Sequence, residues 1–311
     1  MAEISELWDA PTAKDVFAVA GWEQWANAGS ISSDLPQYLI ERLEARHIGR
    51  MKGDGFYLFQ IPATHDLMRP QVEFEEGHHT VVQRYFNDVY YWEDDEKGLV
   101  IFAGCEPHID VDRYAVAFFE MLNTLRVKRT VGLGGVFGNV PFRLDRNVSC
   151  VYSLPIMQEE LAEYAVNFSN YKGGASLGSY LSIQATEMDI EYCTFYSLVP
   201  AYDLSTYDLS QRGLRVDVDY RAWYEVMRRL NVMFNLQIDL SDLEERSHSL
   251  TSALETKLAQ LVQQAGGDRL ERHLARMEAE FEEKSFLPFE GIWEDELGNI
   301  LDELDDTDPK D

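Results

Sequence analysis

Cysteine is scarce in this chain: three stand among 311 residues, at positions 105, 150 and 193. An odd, widely spaced set builds neither a disulfide framework nor a zinc knuckle, so reduced thiols packed in or beside strands are expected. Positive charge is short as well, with 27 Lys plus Arg against 55 Asp plus Glu and a net charge of −28. A surface of that sign repels phosphate backbones and anionic lipid, which removes nucleic acid and membranes from the expected partners. No apolar run is long enough to span a bilayer, and Met1-Ala2-Glu3-Ile4-Ser5-Glu6 has no basic stretch leading into an apolar one. The expected location is therefore the cytoplasm.

What is present is the composition of a packed globule, 45% hydrophobic and 12% aromatic, with 16 Tyr and 16 Phe. Val16-Phe17-Ala18-Val19-Ala20 is apolar, but residues 1–34 show no clear periodicity. Leu35 to Leu43 reads as a helix with Pro36 in its first turn. Strands are expected at Phe56-Tyr57-Leu58-Phe59-Gln60-Ile61, at 80–86 and at 89–92. The strongest local pattern is Gly98-Leu99-Val100-Ile101-Phe102-Ala103-Gly104, a continuous apolar run suited to a sheet covered on both faces. A helix carrying Tyr114, Phe118, Met121, Leu122 and Leu125 on one stripe follows, and Arg129-Thr130-Val131-Gly132-Leu133 resumes the sheet. That succession predicts a parallel crossover unit. A second unit runs from Tyr171 through a glycine turn and a helix over 175–188 to the strand Tyr192-Cys193-Thr194-Phe195-Tyr196-Ser197-Leu198-Val199. The helix with Tyr220, Trp223, Met227, Leu230 and Phe234 completes a doubly wound, mostly parallel α/β domain over 1–236.

The remainder differs in kind. Ser241-Asp242-Leu243-Glu244 has the spelling of a capping box, and Leu243, Leu250, Leu254, Leu258 and Leu261 form an apolar stripe. Gly266-Gly267 breaks it before Leu270, Leu274, Met277 and Phe281, so 237–285 reads as a C-terminal helical hairpin. Over 286–311 a short helix and an acidic tail are expected. Residues 278–311 hold 14 acids and two lysines, a charge run that reads as solvated faces.

Several short blocks now stand in a telling order: Phe102-Ala103-Gly104-Cys105-Glu106-Pro107, Gly132-Leu133-Gly134-Gly135-Val136 with Pro141, Tyr171-Lys172-Gly173-Gly174-Ala175-Ser176, and Val199-Pro200-Ala201-Tyr202. In this the chain resembles the proteasome assembly chaperone 2 family, in its bacterial form. The resemblance implies a phosphorylase/hydrolase-like α/β fold, homo-oligomeric assembly with a trimer as one candidate number, and little defined chemistry. This chain has Pro141-Phe142-Arg143 and Pro200-Ala201-Tyr202 where the family often carries histidines, so no role of those histidines transfers.

The candidate site follows from where the strands end. Glu106 and His108 lie just past a parallel strand, the usual edge of an α/β crevice, while Asp110 and Asp112 suit a helix cap. The segment Gly132 to Gly138, with Gly134 and Gly135, spells part of a dinucleotide loop; yet Asn139-Val140-Pro141-Phe142-Arg143 predicts an extended connection rather than the required helix, so a glycine turn is expected and no cofactor. Gly173, Gly174 and Ser176 are the better anion cradle, beside a helix start that Ser176 or Ser179 would cap. Arg143 and Arg146 offer positive charge to a small anionic ligand, or pair with surplus carboxylates. Together with Tyr202 these residues define a crevice over 104–108, 134–143 and 173–176. Gly174-x-Ser176-x-Gly178 is also the spelling of a nucleophile elbow, which keeps a serine hydrolase using Ser176, or a nucleosidase-like or ligase-like enzyme in the same crevice, as the alternative. His78 and His79 point to opposite faces of any strand and read as a polar turn, so no metal is expected. No complete catalytic constellation fixes a reaction.

Overall fold

The computed structural model describes residues 4–23, 25–53, 55–59, 71–83, 85–204, 213–264 and 268–282. Among these residues ten strands form one sheet: β1 (Ser5–Leu7), β3 (Arg46–Met51), β6 (Asn87–Glu93), β7 (Lys97–Cys105), β2 (Asp15–Glu23), β8 (Val127–Gly138), β11 (Glu191–Asp203), β9 (Val148–Tyr152) and β10 (Asn167–Phe168) in that spatial order, with β12 (Gly213–Arg215) beside β11. The four central strands β7, β2, β8 and β11 run parallel. The flanks β1, β3 and β6 on one side and β9 on the other pair antiparallel with their inner neighbours. A separate hairpin pairs β4 (Gln71–Glu75) with β5 (His78–Gln83).

The predicted crossover has an unread strand inside it. The elements on either side of α2 (Val111–Thr124), β7 and β8, are parallel as expected, but they do not pair; β2 lies between them and bonds to both. Its sequence carries apolar residues on both faces, so no alternation betrayed it. Val19 joins the core on one side, while Ala18, Ala20 and Trp22 join the other.

Successive side chains alternate between two cores. Against one face pack α1 (Asp34–Arg42) and α5 (Tyr220–Phe234), through Leu35, Leu39, Val226, Met227 and Leu230. Against the other pack α2 and α4 (Leu177–Glu187), through Tyr114, Phe118, Phe119 and Leu181. Helices therefore cover both faces, the condition a buried parallel sheet imposes. The long helix α6 (Ser241–Gln264) lays Leu243, Leu254, Leu258 and Leu261 into the α5 side, and α7 (Asp268–Glu280) adds Leu270. The short α3 (Gln158–Glu163) buries Leu161 there too. All three cysteines are buried and unbridged.

Four local expectations change. Phe56 to Phe59 form no strand; Phe56 sits buried in a turn, its carbonyl accepting from the amides of His108 (2.8 Å) and Ile109 (3.2 Å). The glycines over 132–138 are not a turn but the second half of β8. Ser241 makes no capping box, because Asp239 takes both its amide (3.0 Å) and its hydroxyl (3.1 Å) while the Glu244 amide donates to the Leu240 carbonyl. The strand expected over 80–86 begins two residues earlier and belongs to the separate hairpin. The Gly266-Gly267 break, Gln60-Ile61 and the expected helix beyond 286 lie outside the described residues.

Candidate functional site

The carboxyl ends of the four parallel strands open one edge of the sheet. On β7 the register places Cys105 against Glu23 of β2, and the Glu106 amide donates to the Glu23 carbonyl at 3.3 Å. The Glu106 carboxyl then accepts from two backbone amides, Trp25 just past β2 and Leu177 at the first turn of α4. Burial outweighs those two bonds and pushes its pKa up to about 7, far above the usual carboxylate range. Glu23 beside it is shifted upward by the same cause, and its carboxylate accepts from the Cys105 thiol at 3.8 Å.

Helix α4 begins where sequence placed it. Ser176 is the N-cap, its Oγ accepting from the Ser179 amide at 3.3 Å. The same Oγ lies 2.5 Å from the Tyr196 hydroxyl, which also meets Ser179 Oγ at 2.9 Å. Tyr196 comes from β11, opposite Gly134 of β8, and a Cβ at Gly134 would stand 2.4 Å from its ring. Gly134 is thus small so that a tyrosine can cross β8 and reach the start of α4. Gly135 faces the other way: a Cβ there would sit 1.9 Å from the Ala28 carbonyl, and its amide donates to Ala26 at 2.8 Å.

Glu106, Gly134 and Ser176 therefore converge, linked by the Leu177 amide and the Tyr196 ring. The other candidates do not join them. His108 accepts from the Leu58 amide on Nδ1 (3.1 Å) and stands edge-on to Tyr57 and Tyr85, with burial lowering its pKa. Arg143 spans to Glu255 of α6 and Glu278 of α7, each at 3.0 Å. Arg146 is buried against Asp219 at 2.8 Å and caps the carbonyls of Pro141, Phe142 and Leu144. Both arginines hold carboxylates of the chain itself, which removes the free positive charge an anionic ligand would have met. The Tyr202 hydroxyl donates to the Val140 carbonyl at 2.7 Å, fastening the same loop. Gly173 abuts the Tyr171 hydroxyl, and Gly174 is open on its Cβ side. Neither is among the glycines with positive φ.

Sequence reasoning missed Trp25, Tyr196 and Glu23. Only the density of aromatics after the first apolar run hinted at Trp25; Tyr196 read as one more strand aromatic.

Chemically, this edge offers a carboxyl that takes up a proton near neutrality and a hydroxyl relay at a helix start. It does not complete an elbow: Ser176 is bonded to hydroxyls and an amide, no histidine is among its partners, and β10 ends eight residues before it. No group of three His, Cys, Asp or Glu that could hold a metal occurs among the described residues, and none of their helices is long and apolar enough to cross a membrane.

The structure is similar to a PAC2 family protein from Streptomyces avermitilis (TM-score 0.66, 19% identity, covering 78% of this chain and 95% of that one). It is likewise similar to a proteasome-assembly chaperone homologue of Mycobacterium tuberculosis (TM-score 0.66, 18% identity, 78% and 95%). An archaeal proteasome activator from Pyrococcus furiosus shares the fold more distantly (TM-score 0.57, 16% identity, 81% and 97%). No curated protein sequence matches the chain. Residues 21–258 match the sequence profile of the PAC2 family, a span that takes in the carboxyl end of β2, the Glu106 edge and most of α6, and the chain therefore belongs to the PAC2 family.

Proposed function

We propose that this protein is a chaperone-like assembly protein that binds protein partners through the carboxyl edge of its sheet, with the Glu106, Ser176 and Tyr196 cluster as a small-ligand seat beside that surface. Family membership carries the reading: the match covers most of the chain, and proteins of this fold include a proteasome-assembly chaperone homologue and a proteasome activator. The edge itself agrees, because Trp25 (75% exposed), Val136, Phe137 and Tyr171 present large apolar side chains around it on a chain otherwise dominated by acids. Exposed apolar groups with a polar rim are the usual anatomy of a protein-binding patch.

The same reading includes a phosphorylase/hydrolase-like core, a helical hairpin at the carboxyl side, self-association and a cytoplasmic location. An enzyme working in this crevice finds less support, since the Ser176 hydroxyl is engaged by Tyr196 rather than by a base. The test is affinity purification of the tagged chain from its own host, followed by light scattering of the isolated complex. A defined stoichiometric complex, lost in a Trp25→Asp/Phe137→Asp variant that still folds, supports the proposal. Recovery of the chain alone, together with turnover of a small molecule by the purified protein, overturns it.

A further inference from the structure

Among the described helices α4 carries the least charge. Only Glu187 of its eleven residues is charged, whereas α1, α2 and the shorter α3 carry three charged residues each. The middle of its outward face is apolar, with Ile183 53% exposed. Helix α2 runs alongside in the same direction, joined to it where the Tyr180 hydroxyl donates to the Asp112 carboxylate. One turn further along each helix stand Ile183 and Val116, so two exposed apolar side chains lie level with one another. On the other flank the Ser153 carbonyl accepts from Thr186 Oγ1 at 2.9 Å, which brings the short turn Pro155–Met157 and its Ile156, 81% exposed, to the carboxyl half of α4.

Charge returns only at the two ends, and with opposite sign. Lys172 is exposed four residues before the Ser176 cap, and Glu187 is exposed in the last turn; neither has an ion pair among the described residues. If α4 lies antiparallel on its own copy about Ile183, Glu187, four residues to one side of that centre, comes level with position 179, four residues to the other. The carboxylate then meets the positive end of the neighbouring helix dipole and the lysine that leads into it. The two-fold axis repeats the match at the other end, which is the self-complementarity an isologous contact requires.

The charge balance also selects the occupant. Two chains of net charge −28 repel wherever their acids meet, and a basic partner is drawn to those acids rather than to a face without them. An apolar face nearly free of charge is where this polyanion can touch itself. From these observations we propose that α4, bordered by Val116 and Ile156, is the contact between two copies of this chain, packed antiparallel about a two-fold axis at Ile183. The proposal deepens the self-association part of the reading above and does not rest on partner binding at the carboxyl edge.

The test uses the full chain. Light scattering across a micromolar dilution series should give twice the single-chain mass of 35.8 kDa. Ile183→Asp changes an exposed side chain; it should leave the circular dichroism spectrum intact and return the mass to one copy. Ile183→Cys should join two copies through a disulfide when diamide takes up the two thiol hydrogens, and faster than Val232→Cys, an exposed site on α5, while the three native thiols stay buried. Lys172→Glu should weaken the dimer about fivefold through loss of two exposed ion pairs, and adding Glu187→Lys to the same chain should restore it. A single-copy mass at every concentration, a trimer, an unchanged mass in Ile183→Asp, equal linking of the two cysteine variants, or no recovery in the charge swap each overturn the proposal. A monomeric chain that still captures a host protein would overturn this contact and leave the assembly reading standing.

Discussion

Two glycine-rich segments look alike in sequence and do opposite things in the structure. Over 132–138 the glycines lie within β8, where Gly134 and Gly135 leave no room for a methyl group on either face. At Gly173 and Gly174 they precede α4, and Gly174 has nothing within 4 Å of its Cβ position. Each segment leads to a charged clamp. Arg146 holds the loop after β8 by three carbonyls, and Glu106 holds the start of α4 by its amide. The lesson is that glycine spelling alone does not separate backbone meant to approach something from backbone meant to stay open; the neighbouring residues decide.

The largest expected effect that would break this contrast is at the first clamp. Arg146→Ala strands Asp219 without its partner in a site from which water is excluded, and should cost about 3–5 kcal/mol in chemical denaturation. Next comes Gly135→Ala, whose new methyl meets a backbone carbonyl rather than a movable side chain; a loss of about 1–3 kcal/mol or more is expected, read as a lower midpoint at unchanged slope.

The second clamp should reveal itself through pH. The Glu106 carboxyl titrates at about 7 in the folded chain, above its value when unfolded. Below the unfolded value it is protonated in both states and its contribution is fully present. Between about 4.5 and 7 the unfolded chain has given up this proton while the folded chain keeps it, so stability falls as pH rises, by on the order of 3 kcal/mol, and the loss is complete above the folded value. Subtracting the stability profile of Glu106→Gln from that of the parent should isolate the loss between roughly pH 4.5 and 7.5. A flat difference would mean that the carboxyl is not held as described. Smallest of all is Gly174→Ala, which meets no atom and requires no positive φ; it should be neutral or stabilise by about 0.4–1 kcal/mol through the unfolded chain. A loss comparable to that at Gly135 would erase the contrast between the two segments.

Much of the architecture was legible because the central elements carry strong patterns. The apolar run of β7, the stripe of α2, the Ser176 cap and the faces of α5 and α6 are where the residues put them. What could not be read has a physical cause in each case. β2 is buried on both sides, so its sequence lacks the alternation that marks a half-buried strand. The 132–138 glycines answer to a tyrosine and a carbonyl from distant parts of the chain, contacts to which local spelling is blind. Of the candidate site, Glu106 and Ser176 were legible as a strand end and a helix start. Their connection through Tyr196 and Trp25 was not, since it depends on register between strands far apart in sequence. Of the two roles open to Arg143 and Arg146, holding a ligand or pairing with surplus carboxylates, the structure shows the pairing, and sequence could not choose because the acids lie far off: Asp219 is 73 residues from Arg146, and Glu255 and Glu278 are 112 and 135 from Arg143.

The position of β2 has a consequence for how the chain acquires its shape. It is made early, yet it must be flanked by β7 and β8, which emerge some 80 and 110 residues later by the register Asp15 to Lys97 and Phe17 to Arg129. Neither neighbour can dock on the other without it, so the middle of the sheet assembles only after a long loop has closed, and a slow, concerted folding step is the natural outcome. Until then an apolar strand waits with both edges unsatisfied, which makes this part of the nascent chain a candidate for assistance by folding chaperones.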